Sequence, residues 1–386
     1  MQEIQKYFDH KLKLEDLILE YLDNFGLYEA FDNLVDYIKS ENILNIQQEF
    51  KYFLGLLVNI FNYHHRIPGF VDNFEKILLY FKNEIKQTFS NSEIVNIFLS
   101  SKFLLLFLIK QEIILFDEFF LNSILVKCEA NGVPYCYFFI PEIEKMDSEY
   151  TIAEIANFDP RIHGNYEEKR EQGENDSYLC TLIRNDSARE FISYVTQNNI
   201  SLTMVIDPSI FETHSFLNEN KVTLFEYAAF FGSLKIFNFI LNKIELSESI
   251  YKYAIHSNNA NLVHIIEDIG NNVDLIQLVK NTLIEAIKCH HNNLVSYISN
   301  WVDDQTNDHL KEDKLYIERI VDTSFLYQNY FCINLEYAFH RLFFNLCKFD
   351  YIDFVNLLLK TYKNDIDSYI IFKLNFHRIS IKLNSI

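Results

Sequence analysis

The chain has 386 residues, of which only 8 are Gly and 5 Pro, and its formal net charge is −20. So few turn formers exclude β-sandwich and barrel folds, which need a turn signal about every 8–12 residues, along with collagen-like and Pro-rich classes. The acidic balance disfavours nucleic acid and anionic membrane surfaces, both of which repel it, while 49% hydrophobic content supplies a large core.

The N-terminal stretch MQEIQKYFDHKLKLEDL is charged throughout and holds no apolar run of leader length. Six scattered cysteines, Cys128, Cys136, Cys180, Cys289, Cys332 and Cys347, form no Cys-x-x-Cys pair. Together these features lead us to expect reduced thiols and a cytoplasmic or nuclear protein. The Asn-x-Ser triplets at Asn175, Asn185 and Asn199 read as chance in an Asn-rich chain, not as glycan sites.

Leu27, Phe31, Leu34, Val35 and Ile38 share one helical face. Phe50, Phe53, Leu54, Leu57, Val58 and Phe61 form a second face, and Phe70, Phe74, Ile77, Leu78, Phe81 and Ile85 a third. The apolar run from Phe103 to Phe116 is broken by Lys110 and Glu112. It therefore predicts a buried helix and no membrane span, which needs about 20 apolar residues with few charges. Residues 1–140 read as a helical domain of short-linked, antiparallel helices. Residues 141–177 change character: Pro141, Pro160, Gly164 and Gly173 cluster there among many acidic side chains. Little apolar surface predicts an acidic linker or surface loop.

The second half is self-similar. Thr223–Leu241 reads as two short helices around Gly232, with apolar residues at offsets −7, −4, −3, +4, +5 and +8 from that glycine. The same offsets around Asp186, Asn258, His290 and Asp350 are apolar everywhere except Glu190. A tight turn between helices calls for positive φ, which suits Gly and, among other residues, Asn, Asp and His. All five anchors belong to that set. They are 46, 26, 32 and 60 residues apart, two gaps lying near the ankyrin period of about 33. The longest gap predicts an insertion near 301–341.

Thr223–Leu241 resembles an ankyrin repeat. Thr223 stands where the family's T-P-L-H motif begins, Ala228–Ala229 match its paired alanines and Gly232 its inter-helix glycine. Ile236–Phe237 and Ile240–Leu241 match its second-helix aliphatic pairs, while Leu224 and Glu226 replace the Pro and His. The longer stretch YLCTLIRNDSAREFISYV to YAIHSNNANLVHIIE is similar to a diverged ankyrin family of unknown function, expanded in parasitic protists such as trichomonads. The resemblance implies an all-α protein whose helical N-terminal domain precedes an ankyrin-repeat-like αα-hairpin solenoid of about five repeats over 178–360. It implies contacts with another protein and no catalytic residue. Polar positions at turns and finger loops, Asn258, Asn259, Asn261, His291, Asn292 and Asn293, are the partner-binding candidates.

In the tail, 361–386, Leu374/Phe376 and Ile379/Ile381/Leu383 alternate like a strand. An array usually ends in a polar capping repeat, so an atypical or truncated end is expected. His64–His65 and Cys289–His290–His291 are the metal suspects, but consecutive residues point in different directions, so no metal is expected. No nucleotide, metalloprotease or nucleophile-elbow motif is present, and no cofactor is expected. A Cys–His nucleophile pair has nothing in the sequence to single out one thiol. The leading expectation is a non-enzymatic interaction scaffold. Its rivals are an enzyme or effector activity in the N-terminal half and a self-associating structural protein.

Overall fold

A computed structural model describes residues 2–24, 28–127, 132–146, 164–245, 247–269, 275–306 and 313–333, with single positions 345, 348 and 355. Among these residues the protein is all-α, with twenty α-helices and no strand. No helix among them is long and apolar enough to cross a membrane.

The N-terminal half contains α1 (Gln2–Asp23), α2 (Tyr28–Ser40), α3 (Gln47–Tyr63), α4 (Phe70–Tyr80), α5 (Lys82–Thr88), α6 (Asn91–Phe98), α7 (Lys102–Lys110), α8 (Glu118–Leu125) and α9 (Ile140–Glu144). The faces expected from periodicity are the buried ones: Leu34, Val35 and Ile38 on α2, and Phe50, Phe53, Leu54, Leu57, Val58 and Phe61 on α3. The third face is buried too, although it spans two helices, because Phe81 lies between α4 and α5. α6 begins at a Ser90–Glu93 capping box, which satisfies two otherwise orphaned N–H groups. α7 takes up the apolar run as a buried helix. These helices share one apolar core, which also admits Val321, Phe325 and Tyr330 from the far end of the chain.

Of the expected linker, 147–163 lies outside the described residues. Its flanks are structured: α10 (Tyr166–Gln172) returns Arg170 to α9. There Arg170 makes a two-pronged bond to Glu142 (2.6 and 2.9 Å) and donates to the Phe138 carbonyl (2.9 Å). The charge-rich composition hides this buried pair, since charged groups are buried when they are matched.

Four helical hairpins follow: α11 (Tyr178–Arg184) with α12 (Ala188–Gln197), α14 (Leu224–Phe230) with α15 (Leu234–Leu241), α16 (Ile250–His256) with α17 (Ala260–Ile269), and α18 (Leu275–Lys288) with α19 (Asn292–Thr306). A short α13 (Ser215–Glu219) precedes the second, and α20 (Lys314–Tyr327) follows the fourth. The first helices pack in sequence, α11 on α14, α14 on α16, α16 on α18 and α18 on α20. α20 lies inside the stretch read as an insertion.

Every described anchor has positive φ: Asp186 46°, Gly232 63°, Asn258 49° and His290 57°. The anchor N–H reaches the carbonyl three residues back at each turn, from Asp186 to Ile183, Gly232 to Ala229, Asn258 to Ile255 and His290 to Ile287. At three of these turns the next N–H reaches five residues back, Ser187 to Leu182, Ser233 to Ala228 and His291 to Ala286. That pairing is a Schellman motif, closed by a left-handed residue.

The turns are also cross-linked. Ser233 Oγ donates to the Ile183 carbonyl (2.6 Å), His291 Nδ1 lies 3.0 Å from the Ile255 carbonyl, and Asn329 Nδ2 donates to the Ile287 carbonyl (3.0 Å). Each bond joins the residue after one turn to the carbonyl three before the preceding anchor. Gln328, with φ of 61°, plays the anchor's part for α20. The fifth turn described is thus at Gln328. Asp350 and the tail 361–386 fall outside the described residues.

Asn258 is exposed, so its role in the turn is one of backbone alone. Replacing it with valine is expected to cost about 1–2 kcal/mol, the penalty of left-handed backbone for a residue with a Cβ, aggravated by β-branching. Asn258→Gly should stay within about 0.5 kcal/mol of the parent. Urea unfolding of both variants checks the pair.

Candidate functional site

The fourth turn, Cys289–Asn292, docks into the N-terminal half. Ordinary sequence spacing could not foretell this, because the partners lie more than two hundred residues away. His290 Nδ1 is 2.8 Å from Glu15 Oε1 on α1, with both side chains fully buried, and Asn292 donates to the same oxygen at 3.3 Å. Glu15 Oε2 and His290 Nε2 are buried without a hydrogen-bond partner among the described residues. Around this pair Asn329 Nδ2 donates to Asn292 Oδ1 (3.0 Å), and Gln328 Nε2 donates to the Tyr52 carbonyl of α3 (3.2 Å).

Beside it, the end of α3 supplies His64 and His65. His64 Nδ1 lies 2.7 Å from the Cys289 carbonyl, and Nε2 lies 3.0 Å from Asp23 Oδ1 at the end of α1. His65 Nδ1 is 3.1 Å from His291 Nε2. A carbonyl only accepts, so His64 Nδ1 and His291 Nδ1 both carry protons. His291 Nε2 therefore presents a lone pair toward His65. Burial pushes His65 down to about 4, with His64 adding to the fall and Asp23 opposing it. Burial likewise takes His291 well below the ordinary histidine range. For Asp23, burial alone would raise the carboxyl, but the hydrogen bond and charge of His64 hold it low.

A second polar cluster lies deeper. Cys289 Sγ is 3.3 Å from His256 Nδ1, and His256 Nε2 is 3.0 Å from Glu285 Oε1. Lys288 donates to the other oxygen of Glu285 at 3.2 Å. Thiol, imidazole and carboxylate in that order mimic a nucleophile, base and orienting group. The burial of all three works against that chemistry: Cys289 is 0%, His256 2% and Glu285 3% exposed. His256 is stacked on Phe216, with 4.0 Å between ring centroids, and burial drives the thiol far above its usual range. A protonated, enclosed thiol is a poor nucleophile. The cluster reads as a satisfied core network.

The predicted partner-binding residues divide between two environments. Asn258, Asn261 and Asn293 are exposed and Asn259 is half-buried, its side chain accepting from the Leu262 N–H at 3.3 Å. His291 is buried and Asn292 half-buried, both facing the same chain's N-terminal half. Sequence reasoning overlooked Glu15, Asp23 and Glu285, whose single carboxylates carry no local pattern. It also picked only half of a polar row: Arg189, Lys235, Asn261 and Asn293 each stand three residues after an anchor and all four are exposed, but Arg189 and Lys235 were overlooked.

Another buried histidine, His214, gives a pH prediction. His214 packs edge-on against the rings of Phe230 and Phe231. Burial, then the positive charges of Arg66, His256 and Arg184, hold it well below the usual histidine range. The fold keeps it neutral while the unfolded chain protonates near 6.5. Stability is therefore constant above that pH and falls below it, by up to about 1.4 kcal/mol per pH unit for one such site. Denaturant unfolding across this range should show a shallower acid slope for His214→Gln.

No family model, no curated protein and no solved structure matches this chain.

Proposed function

We propose that this protein is a non-enzymatic interaction scaffold, in which diverged ankyrin-like hairpins stack into a preformed surface for another protein. The observation that carries the reading is the repeated turn: four anchors of positive φ, each with its N–H bonded to the carbonyl three residues back, and two of these turns tied by a side chain to the turn before. A row built this way presents exposed side chains at fixed intervals, and a preformed surface binds with little loss of conformational freedom. Arg189, Lys235, Asn261 and Asn293 are its polar positions, with Asn258 at the turn. Burial of the Cys289–His256–Glu285 cluster supports a non-catalytic role, as does the continuous apolar core of the N-terminal half.

The test immobilises the full chain beside an Asn261→Arg/Asn293→Arg variant, whose unchanged circular dichroism and melting temperature show an intact fold. Proteins captured from an extract of the source cell in stoichiometric amount by the parent, and lost by the variant, are the expected result. Identical capture by both chains, or none by either, counts against the proposal.

A further inference from the structure

We propose that His64 Nε2, His65 Nδ1, His291 Nε2 and the Asp23 carboxylate form a binding site for a divalent, imidazole-preferring cation of the zinc class. The three histidines offer ligand atoms that all lie within 4.8 Å of one another. A tetrahedral ion with bonds of about 2.0–2.1 Å sets neighbouring ligand atoms about 3.3 Å apart. His65 Nδ1 and His291 Nε2 stand 3.1 Å apart, and His64 Nε2 and Asp23 Oδ1 3.0 Å apart. Each pair is thus spaced as two ligands of one ion would be; the three histidines make the close cluster, and Asp23 meets it through His64.

The outer hydrogen bonds point the same way. His64 and His291 each direct Nδ1 at a backbone carbonyl, of Cys289 and Ile255 respectively. This is how metal-bound histidines are oriented, with the tautomer fixed and Nε2 free to ligate. His64 turns Nε2 toward the Asp23 carboxylate at 3.0 Å, and a cation bound there would take the place of the proton shared between them. His65 would ligate after shifting its proton to Nε2. Access is open, since the Asp23 side chain is 34% exposed and His65 only half-buried. Three imidazoles and one carboxylate suit zinc, and four protein ligands mark a structural site. The ligands come from the end of α1, the end of α3 and the turn before α19, so the ion would clamp the N-terminal half to the hairpins.

Chelator-stripped full-length protein, titrated with Zn2+ near neutral pH, should bind one ion per chain by calorimetry and melt at a higher temperature. Co2+ in its place should give tetrahedral visible bands without a thiolate charge-transfer band. Asp23→Asn and His65→Ala should each weaken binding by more than about a hundredfold, beyond the loss of an outer-shell partner. Cys289→Ser should leave binding unchanged. Asp23 is partly exposed, so its variant keeps the test valid if His65→Ala unfolds. Three results would overturn the site: no saturable Zn2+ binding, equal binding in the Asp23 variant and parent, or loss of binding only in Cys289→Ser. The last would assign the ion to the His256–Glu285–Cys289 cluster.

Discussion

Replacing Glu15 with alanine is expected to destabilise the full chain by about 3–5 kcal/mol, the usual cost of removing one partner from a buried charged pair. Glu15 and His290 are both fully buried at 2.8 Å, and Asn292 bonds to the same carboxylate oxygen. Without Glu15, two donors on the fourth turn lose their acceptor in a space closed to water. Glu15→Gln keeps a carbonyl oxygen at that point and should lose much less. Both variants can be compared by urea unfolding with a probe in each half. The probes should report a larger loss for alanine, with the contact between the halves weakened first.

An effect of similar size, again about 3–5 kcal/mol, is expected for Arg170→Met. Arg170 is 1% exposed, and its guanidinium is bound by Glu142, the Phe138 carbonyl and Glu167. Burial would favour its neutral form, but the Glu142 hydrogen bonds and charge hold it protonated and raise it above its ordinary range. The methionine variant would strand Glu142, itself 8% exposed. Arg170→Met/Glu142→Leu removes both charges and should recover most of the loss, because an apolar pair of similar volume often serves as well as a buried ion pair. Thermal melts of the two variants distinguish a stranded charge from lost packing.

These two sites also mark the limit of what the residues reveal in linear order. The hairpins were legible because each turn is local: anchor type, apolar offsets and the left-handed conformation all lie within about a dozen residues. Gly232, Asp186, Asn258 and His290 therefore announce themselves, as do the buried faces of α2 and α3. The turn at Gln328 was hidden because glutamine is outside the anchor set and because polar residues stand at two offsets, Glu336 at +8 and Ser324 at −4, the latter fully buried. Arg170 and Glu142 lie in a segment whose composition resembles a solvated linker, and only pairing makes their burial tolerable. The histidine cluster was illegible for a different reason. His64–His65 and His291 drew notice only as separate metal suspects, and their meeting depends on α3 and the fourth turn coming together across the fold. Spacing along the chain made Cys289, His290 and His291 look divergent. They do diverge, and each finds a different partner: His256, Glu15 and His65.

The docking of the N-terminal half onto the fourth turn is the contact that joins these features into one architecture. A double-mutant cycle on Glu15 and His290 in the full chain measures it most directly, through the unfolding free energies of Glu15→Ala, His290→Ala and the double variant. The account predicts a coupling energy well above about 0.5 kcal/mol, as for residues in buried contact. Losses that add to within about 0.3–0.5 kcal/mol, the behaviour of independent sites, would contradict it.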